Sequence, residues 1–229
     1  MLLTFLSGND WRSVLMQVLM SVPIIMLTLS VHEYAHGLIA KKLGDPTADN
    51  LGRLTINPLK HIDPIGFIMF LLIGVGYAKP VPITSRNFKK PRRDMALVGA
   101  AGPISNAIMA LIFTTLLKVF DLFIPLIYSS GEAWAITASG YFVMLLYLGI
   151  YYNVAFALFN LIPAPPLDGS RILYAFLPSR ILFRVQQYER YFFIGVLAIM
   201  LVFSVLGISV IGTVTNFFVD LLFKLFFLA

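Results

Sequence analysis

The sequence LTLSVHEYAHGLIAKKLG, residues 27–44, decides how this chain folds. It is an apolar run of the kind that lies in a membrane, but it contains two histidines and a glutamate, His32, Glu33 and His36. Ionisable side chains are expensive in hydrocarbon, and those found within a membrane-spanning segment generally serve a function. The stretch therefore predicts a membrane helix with a polar site inside it.

The composition of the whole chain indicates an integral membrane protein. Of its 229 residues, 59% are hydrophobic and only 12% are charged, whereas soluble domains contain roughly 25% charged residues. The net charge of +6 comes from basic residues beside apolar segments, which favours the lipid bilayer over nucleic acid as their partner. The chain has no cysteine, so disulfides and thiolate ligands are excluded, and a transition metal would need His, Asp or Glu.

Apolar segments recur along the chain and predict an all-α polytopic membrane protein with about five to six transmembrane helices. The spans that we expect are residues 11–41, 94–128, 140–163, 191–206 and 208–228. Residues 64–77 are short for a crossing, so a re-entrant or short β-containing segment is expected near residues 52–83. We expect a single domain, residues 1–229, with a core at about 11–175 and a C-terminal helical hairpin at about 186–229.

The basic residues predict which side of the membrane the polar site faces. Lys41 and Lys42 end the first span, a second basic cluster lies at residues 79–93, and a third lies at 171–190. Placing all three in the cytoplasm puts the N-terminus outside and makes residues 64–77 enter and leave on one side. In the alternative, residues 64–77 cross the membrane and leave the third cluster outside.

The spacing of the polar residues in the first span is typical of a metal site. His32 and His36 are four residues apart, so on a helix their side chains project from one face, one turn apart. Two such imidazoles can bind zinc, and Glu33, about 100° round the helix, can act as general base on a water. The alternative is a pair of histidines that serve helix packing, with a paired glutamate.

A catalytic zinc needs a third protein ligand, and the residues leave two candidates. Asp168 lies in NLIPAPPLDGSRIL, residues 160–173, where prolines break a helix and can hold a carboxylate rigidly. It could equally belong to an ordinary Asp-Gly turn. The other candidate is His61, which otherwise orders the segment near the membrane surface.

Two asparagines lie within apolar runs and are candidate substrate-binding residues. Asn106 follows Gly102 by one helical turn in GPISN, and Asn160 begins the proline-rich break. Buried amides can hydrogen-bond a substrate backbone or a developing oxyanion. The alternative is that they join neighbouring helices.

Three ordered motifs, HEYAHG, GPISN and NLIPAPPLDG, lie on separate apolar segments. Together they resemble the signature of the site-2 protease family of intramembrane zinc metalloproteases. The connecting stretches GRLTINPLKHIDPIG and GYAKPVPITSRNFKKPRRDM are similar to the compact prokaryotic branch, which lacks a PDZ or regulatory domain. The resemblance covers about residues 25–175.

The resemblance implies an integral membrane protease that binds one zinc ion per chain. Its ligands would be His32, His36 and Asp168, with Glu33 as general base, and Asn106 and Asn160 would line the site. His61 would then have at most an accessory role. The implied substrate is a transmembrane or membrane-associated protein segment. The expected location is a prokaryotic inner membrane, and the basic clusters place the active site toward its cytoplasmic side.

Two other functions fit parts of the sequence. A membrane transporter or metal-ion carrier would also place polar groups and glycines in broken helices, but the chain shows no internal repeat and one ligand cluster. A catalytically silent scaffold would not need His32, Glu33, His36 and Asp168 together. The sequence leaves the oligomeric state and the identity of the substrate open.

Overall fold

The computed structural model describes residues 11–73, 78–206 and 209–227, and almost all of its regular structure is helical. The helices are α1 (Trp11–Lys42), α2 (Thr47–Asn50), α3 (Pro64–Ile73), α4 (Pro91–Asp121), α5 (Ile124–Ser129), α6 (Ala133–Asn160), α7 (Asp168–Tyr174), α8 (Ser179–Gln187), α9 (Glu189–Val205) and α10 (Val210–Phe227). The described residues contain no β-strand. This confirms the all-α architecture.

Four helical segments are long and apolar enough to cross a membrane, among the described residues. They are Leu15–Lys42, Pro91–Ser129, Ala133–Asn160 and Val210–Phe227. The remaining expected span, residues 191–206, corresponds to α9, whose 17 residues are at the lower limit of about 17 for a crossing. The expectation of a polytopic membrane protein is therefore confirmed.

The long helix α4 lies at the centre of the bundle and packs against α1, α6, α7 and α10. A buried cluster joins four of these helices, with Ile24 from α1, Phe113 from α4, Ile150 from α6 and Val219 from α10. Many apolar side chains on the outside of the same helices remain exposed, as lipid contact requires. The core therefore fixes α1 against α4, and this packing positions the polar site.

Polar side chains add hydrogen bonds between α1 and α6. Asn153 Nδ2 donates to Thr28 Oγ1 at 3.0 Å, and Tyr152 donates its hydroxyl hydrogen to Ser21 at 3.1 Å. Away from water such bonds satisfy groups that would otherwise be unpaired. They join the half of α1 that precedes His32 to α6.

The β-strand considered for the segment near residues 52–83 does not form in its described part. Residues 58–60 are a 3₁₀ helix that begins at Pro58, and pairing is reduced to one antiparallel bridge between Ile62 and Ala78. Proline has no N–H to contribute to a ladder, which disfavours a strand here. α3 follows, but residues 74–77 lie outside the described residues, so the re-entrant path stays a prediction.

Candidate metal centre

The histidines of α1 project from the same face, as their spacing predicts. Their Nε2 atoms lie 3.0 Å apart, and the two rings meet edge to face with centroids separated by 4.6 Å. Both side chains are buried, at 4% exposure for His32 and 3% for His36. Two potential ligand atoms therefore point to one place inside the bundle.

Asp168 completes a three-residue cluster. It is the first residue of α7, and its Oδ2 lies 3.0 Å from Nε2 of His32 and 3.0 Å from Nε2 of His36. The chain reaches this position by folding back on the end of α6, where a Cβ on Gly169 would come within 2.3 Å of the Leu161 carbonyl oxygen. Only glycine permits so close an approach.

The cluster has the donor set and the spacing of a zinc site. His32, His36 and Asp168 are the one such group of potential ligands within the described part of the chain. Their three ligand atoms are mutually separated by 3.0 Å, close to the roughly 3.3 Å between ligands in a tetrahedron with bonds of about 2.0–2.1 Å. Three potential ligand atoms at this spacing could bind one cation together.

One face of α4 packs against the other side of the cluster. Gly102 lies against both rings, and a Cβ there would be 2.5 Å from His32 Cε1 and 2.5 Å from His36 Nε2. One turn before it, the Val98 carbonyl accepts a hydrogen bond from His36 Nδ1 at 2.7 Å. One turn after it, the side-chain amide of Asn106 lies 3.2 Å from His32 Nδ1.

Glu33 lies beside the cluster and is held by the backbone. Its Oε2 accepts a hydrogen bond from the Val81 N–H at 2.7 Å, and the residue is 9% exposed. The three potential ligands and Glu33 line one cavity. Its other described wall residues are Pro80, Val81, Ile83, Asn160, Pro166 and Arg171.

A protein-family model described as "Peptidase family M50" matches residues 20–204, which include this entire site. The chain belongs to peptidase family M50. The resemblance to site-2 proteases is therefore confirmed, and the protein is an intramembrane zinc metalloprotease. This membership gives no support to the transporter alternative.

Curated relatives of this M50 peptidase come from bacteria and an archaeon. It is 39% identical to "Putative zinc metalloprotease YwhC" of Bacillus subtilis over 90% of this chain and 91% of the relative. Rip2 of Mycolicibacterium smegmatis and MJ0611 of Methanocaldococcus jannaschii are described in the same words. They are 28% and 27% identical, over 63% and 62% of this chain and 52% and 62% of their own lengths. No solved structure matches the chain.

The remaining residues singled out in the sequence lie in different surroundings. Asn160 lines the cavity, whereas Asn106 is buried behind His32 and is not among the described wall residues. His61 lies outside the metal cluster, where its Nε2 donates to the Thr55 carbonyl at 2.7 Å. The substrate-binding roles of the two asparagines and the accessory role of His61 stay predictions.

Sequence reasoning missed Arg171, which belongs to the site of this M50 peptidase. Its Nη1 lies 3.3 Å from Asp168 Oδ1, three residues back on α7, and its side chain reaches the cavity. It therefore fixes the carboxylate oxygen that does not face the histidines. The signal was the spacing, since residues three apart on a helix are neighbours; Arg171 instead counted only as part of a cytoplasmic basic cluster.

Asp45, also missed, anchors the segment that carries Val81. Its buried carboxylate accepts hydrogen bonds from Thr47, from the Thr84 N–H at 2.7 Å and from Asn87 Nδ2 at 2.7 Å. Burial raises the pKa of Asp45, but these hydrogen bonds outweigh it and hold the pKa below its usual value. Asp45 thus ties the loop after α1 to residues 84–87, next to the cavity wall.

Proposed function

We propose that His32, His36 and Asp168 bind one zinc ion per chain and that Glu33 is the general base of peptide-bond hydrolysis. The observation that carries this proposal is the convergence of three buried ligand atoms, mutually 3.0 Å apart, on a cavity that Glu33 also lines. This is the arrangement that a catalytic zinc with three protein ligands and an open position requires.

The chain supplies distinct groups to the reaction. Zinc bound there would polarise the scissile carbonyl and make a water acidic enough, at a pKa of about 7, to lose its proton near neutral pH. Glu33 takes that proton as the water attacks and delivers it to the leaving amine. The Val81 N–H holds one oxygen of Glu33, which leaves the other oxygen for the proton.

Asn160 is the amide best placed to contact a substrate. It lies at the end of α6 and on the cavity wall, and its Nδ2 donates to the Phe156 carbonyl at 3.1 Å. The side-chain amide can also bond the substrate backbone or the developing oxyanion. Arg171 adds a positive charge to the same wall.

The proposed substrate is a transmembrane or membrane-associated segment of another protein, bound in an extended form. Helical peptide bonds are shielded, so the segment must unwind before hydrolysis. Strand addition to the region of residues 52–83 would hold it. Beside residues 80–82 the substrate backbone could only donate hydrogen bonds to carbonyl oxygens. Pro80 and Pro82 have no N–H to offer in return, and the Val81 N–H already donates to Glu33.

The proposed location is a prokaryotic inner membrane with the site towards the cytoplasm. Support comes from Lys41 and Lys42, which follow His36 by about one and a half turns and end α1. Arg171 lies at the cavity itself. Basic residues accumulate on the cytoplasmic side of membrane proteins.

Cleavage of a transmembrane test substrate by the purified protein in detergent tests this function. We expect cleavage within or near the membrane segment, loss of cleavage after removal of metal with a chelator, and recovery on addition of zinc. Undiminished cleavage by protein shown by elemental analysis to contain no metal would contradict the proposal.

A further inference from the structure

The two histidines of the cluster are oriented by α4 through their second ring nitrogens. For His36 the partner is the Val98 carbonyl, 2.7 Å from Nδ1. A carbonyl oxygen can only accept, so the Nδ1 of neutral His36 carries the hydrogen. Its Nε2 then keeps the free lone pair that a metal ligand needs.

His32 faces a group that can either donate or accept. Asn106 has its Nδ2 3.2 Å from His32 Nδ1, but the nitrogen and oxygen of an amide have nearly the same shape, and the hydrogen-bond network decides between them. If Nδ2 donates, neutral His32 carries its hydrogen on Nε2, where it blocks metal binding. If Oδ1 takes that place, the hydrogen moves to Nδ1 and Nε2 is free to bind the metal.

The surroundings of Asn106 indicate that its side-chain amide serves to hydrogen-bond His32. The side chain is completely buried at 0% exposure, and its Oδ1 has no hydrogen-bond partner among the described residues. A half-turn of the amide gives Oδ1 the His32 Nδ1–H as its partner and moves Nδ2 to the place that Oδ1 leaves. The requirement that His32 Nε2 keep a free lone pair for the metal therefore decides between the two orientations. Asn106 is also absent from the described cavity wall, on which Asn160 lies.

We infer that Asn106 is a positioning residue of the metal centre. Its side-chain oxygen accepts the Nδ1 hydrogen of His32 and so fixes the tautomer and ring orientation in which His32 binds zinc. This inference rests on the zinc centre of the proposed function, and it assigns Asn106 to His32 and not to the substrate. Groups that orient a metal-binding histidine in this way typically change metal affinity by about 10–100-fold.

The test is the zinc affinity of detergent-solubilised protein, measured by competition with a chelator of known affinity. We expect Asn106→Ala to weaken zinc binding by roughly 10–100-fold. Asn106→Asp should restore the affinity, because a carboxylate can only accept and therefore imposes the same tautomer. If Asn106→Ala cannot be purified in folded form, Asn106→Leu has the same expected loss without a cavity.

Asn153 is the matched control. It too is a buried amide at 0% exposure whose Oδ1 has no partner among the described residues, and it joins α6 to α1 through Thr28. Asn153→Ala should lower the thermal midpoint but leave zinc affinity at the wild-type value. The absorption spectrum of the Co²⁺-substituted protein should change with Asn106→Ala and be unchanged with Asn153→Ala.

Three results would overturn the inference. They are wild-type zinc affinity in Asn106→Ala, a loss in Asn106→Asp as large as in Asn106→Ala, or an equal loss in Asn153→Ala. None of these measurements needs a substrate. A chain that binds zinc as described but cleaves nothing would refute the protease function and leave the role of Asn106 intact.

Discussion

Gly102→Ala introduces one methyl group at the centre of the proposed zinc site. A Cβ at this position would be 2.5 Å from His32 Cε1, 2.5 Å from His36 Nε2 and 2.6 Å from His32 Nε2. Ordinary contacts of carbon are about 3.5–4.0 Å, so the rings would have to retreat by about 1 Å. Val98 and Asn106 hold the far nitrogens of the same rings, which limits that retreat.

Gly102→Ala should weaken zinc binding more than it destabilises the fold. Overpacking of this kind costs about 1–3 kcal/mol, whereas replacing glycine by alanine within a helix recovers about 1 kcal/mol. The global fold should therefore lose at most about 2 kcal/mol. Strain of about 1–3 kcal/mol in the ligand geometry corresponds to a zinc Kd raised roughly 5–150-fold.

Gly140→Ala in α6 provides the control, because a Cβ there meets no described atom within 4 Å. Zinc affinity by chelator competition and thermal unfolding by circular dichroism should be measured on both variants. Gly140→Ala should match the wild type in zinc affinity and be slightly more stable. A zinc Kd in Gly102→Ala equal to that of Gly140→Ala would refute the placement of the two rings against α4.

Three further variants test other contacts of the site. Asp45→Asn should lower the thermal midpoint near neutral pH and make the midpoint fall less steeply in acid. The reason is the depressed pKa of Asp45. The stability that it provides is present above the unfolded-state pKa of about 3.9 and is lost as pH falls through the folded-state pKa. An unchanged acid profile would contradict this. His61→Ala should retain zinc by elemental analysis while Asp168→Ala loses it; the reverse would make His61 the third ligand. Arg171→Met should weaken zinc binding about 10-fold, because it frees Asp168 Oδ1, and an unchanged Kd would show that Arg171 does not orient the carboxylate.

The helical fold could be predicted because lipid-facing helices need long apolar runs, and these are visible in the sequence. Their boundaries were less accurate. The expected span at 94–128 is α4 followed by the short helix α5, and the span at 140–163 begins earlier, at Ala133. Apolar composition changes gradually at such ends, whereas turns depend on local hydrogen bonds that composition does not reveal.

The proposed ligands and base could be found because their side chains carry the chemistry and their helical spacing is fixed. The groups that orient them were harder to find. Glu33 is held by the N–H of Val81 and His36 by the carbonyl of Val98, and backbone groups leave no signature in the residue type. Asp45 does carry charge, but its partners Thr84 and Asn87 reach it only through the path of the loops. Arg171 follows Asp168 by three residues on one helix, so their pairing could have been found from the spacing.

Zinc content and cleavage measured on the same preparations of wild type and Glu33→Gln test the central claim most directly. Glutamine keeps the size of Glu33 but cannot take a proton, and Glu33 is not a ligand of the proposed site. We predict one zinc per chain in both proteins, cleavage of a transmembrane test substrate by the wild type, and none by Glu33→Gln. Near-normal cleavage by zinc-loaded Glu33→Gln would contradict the account.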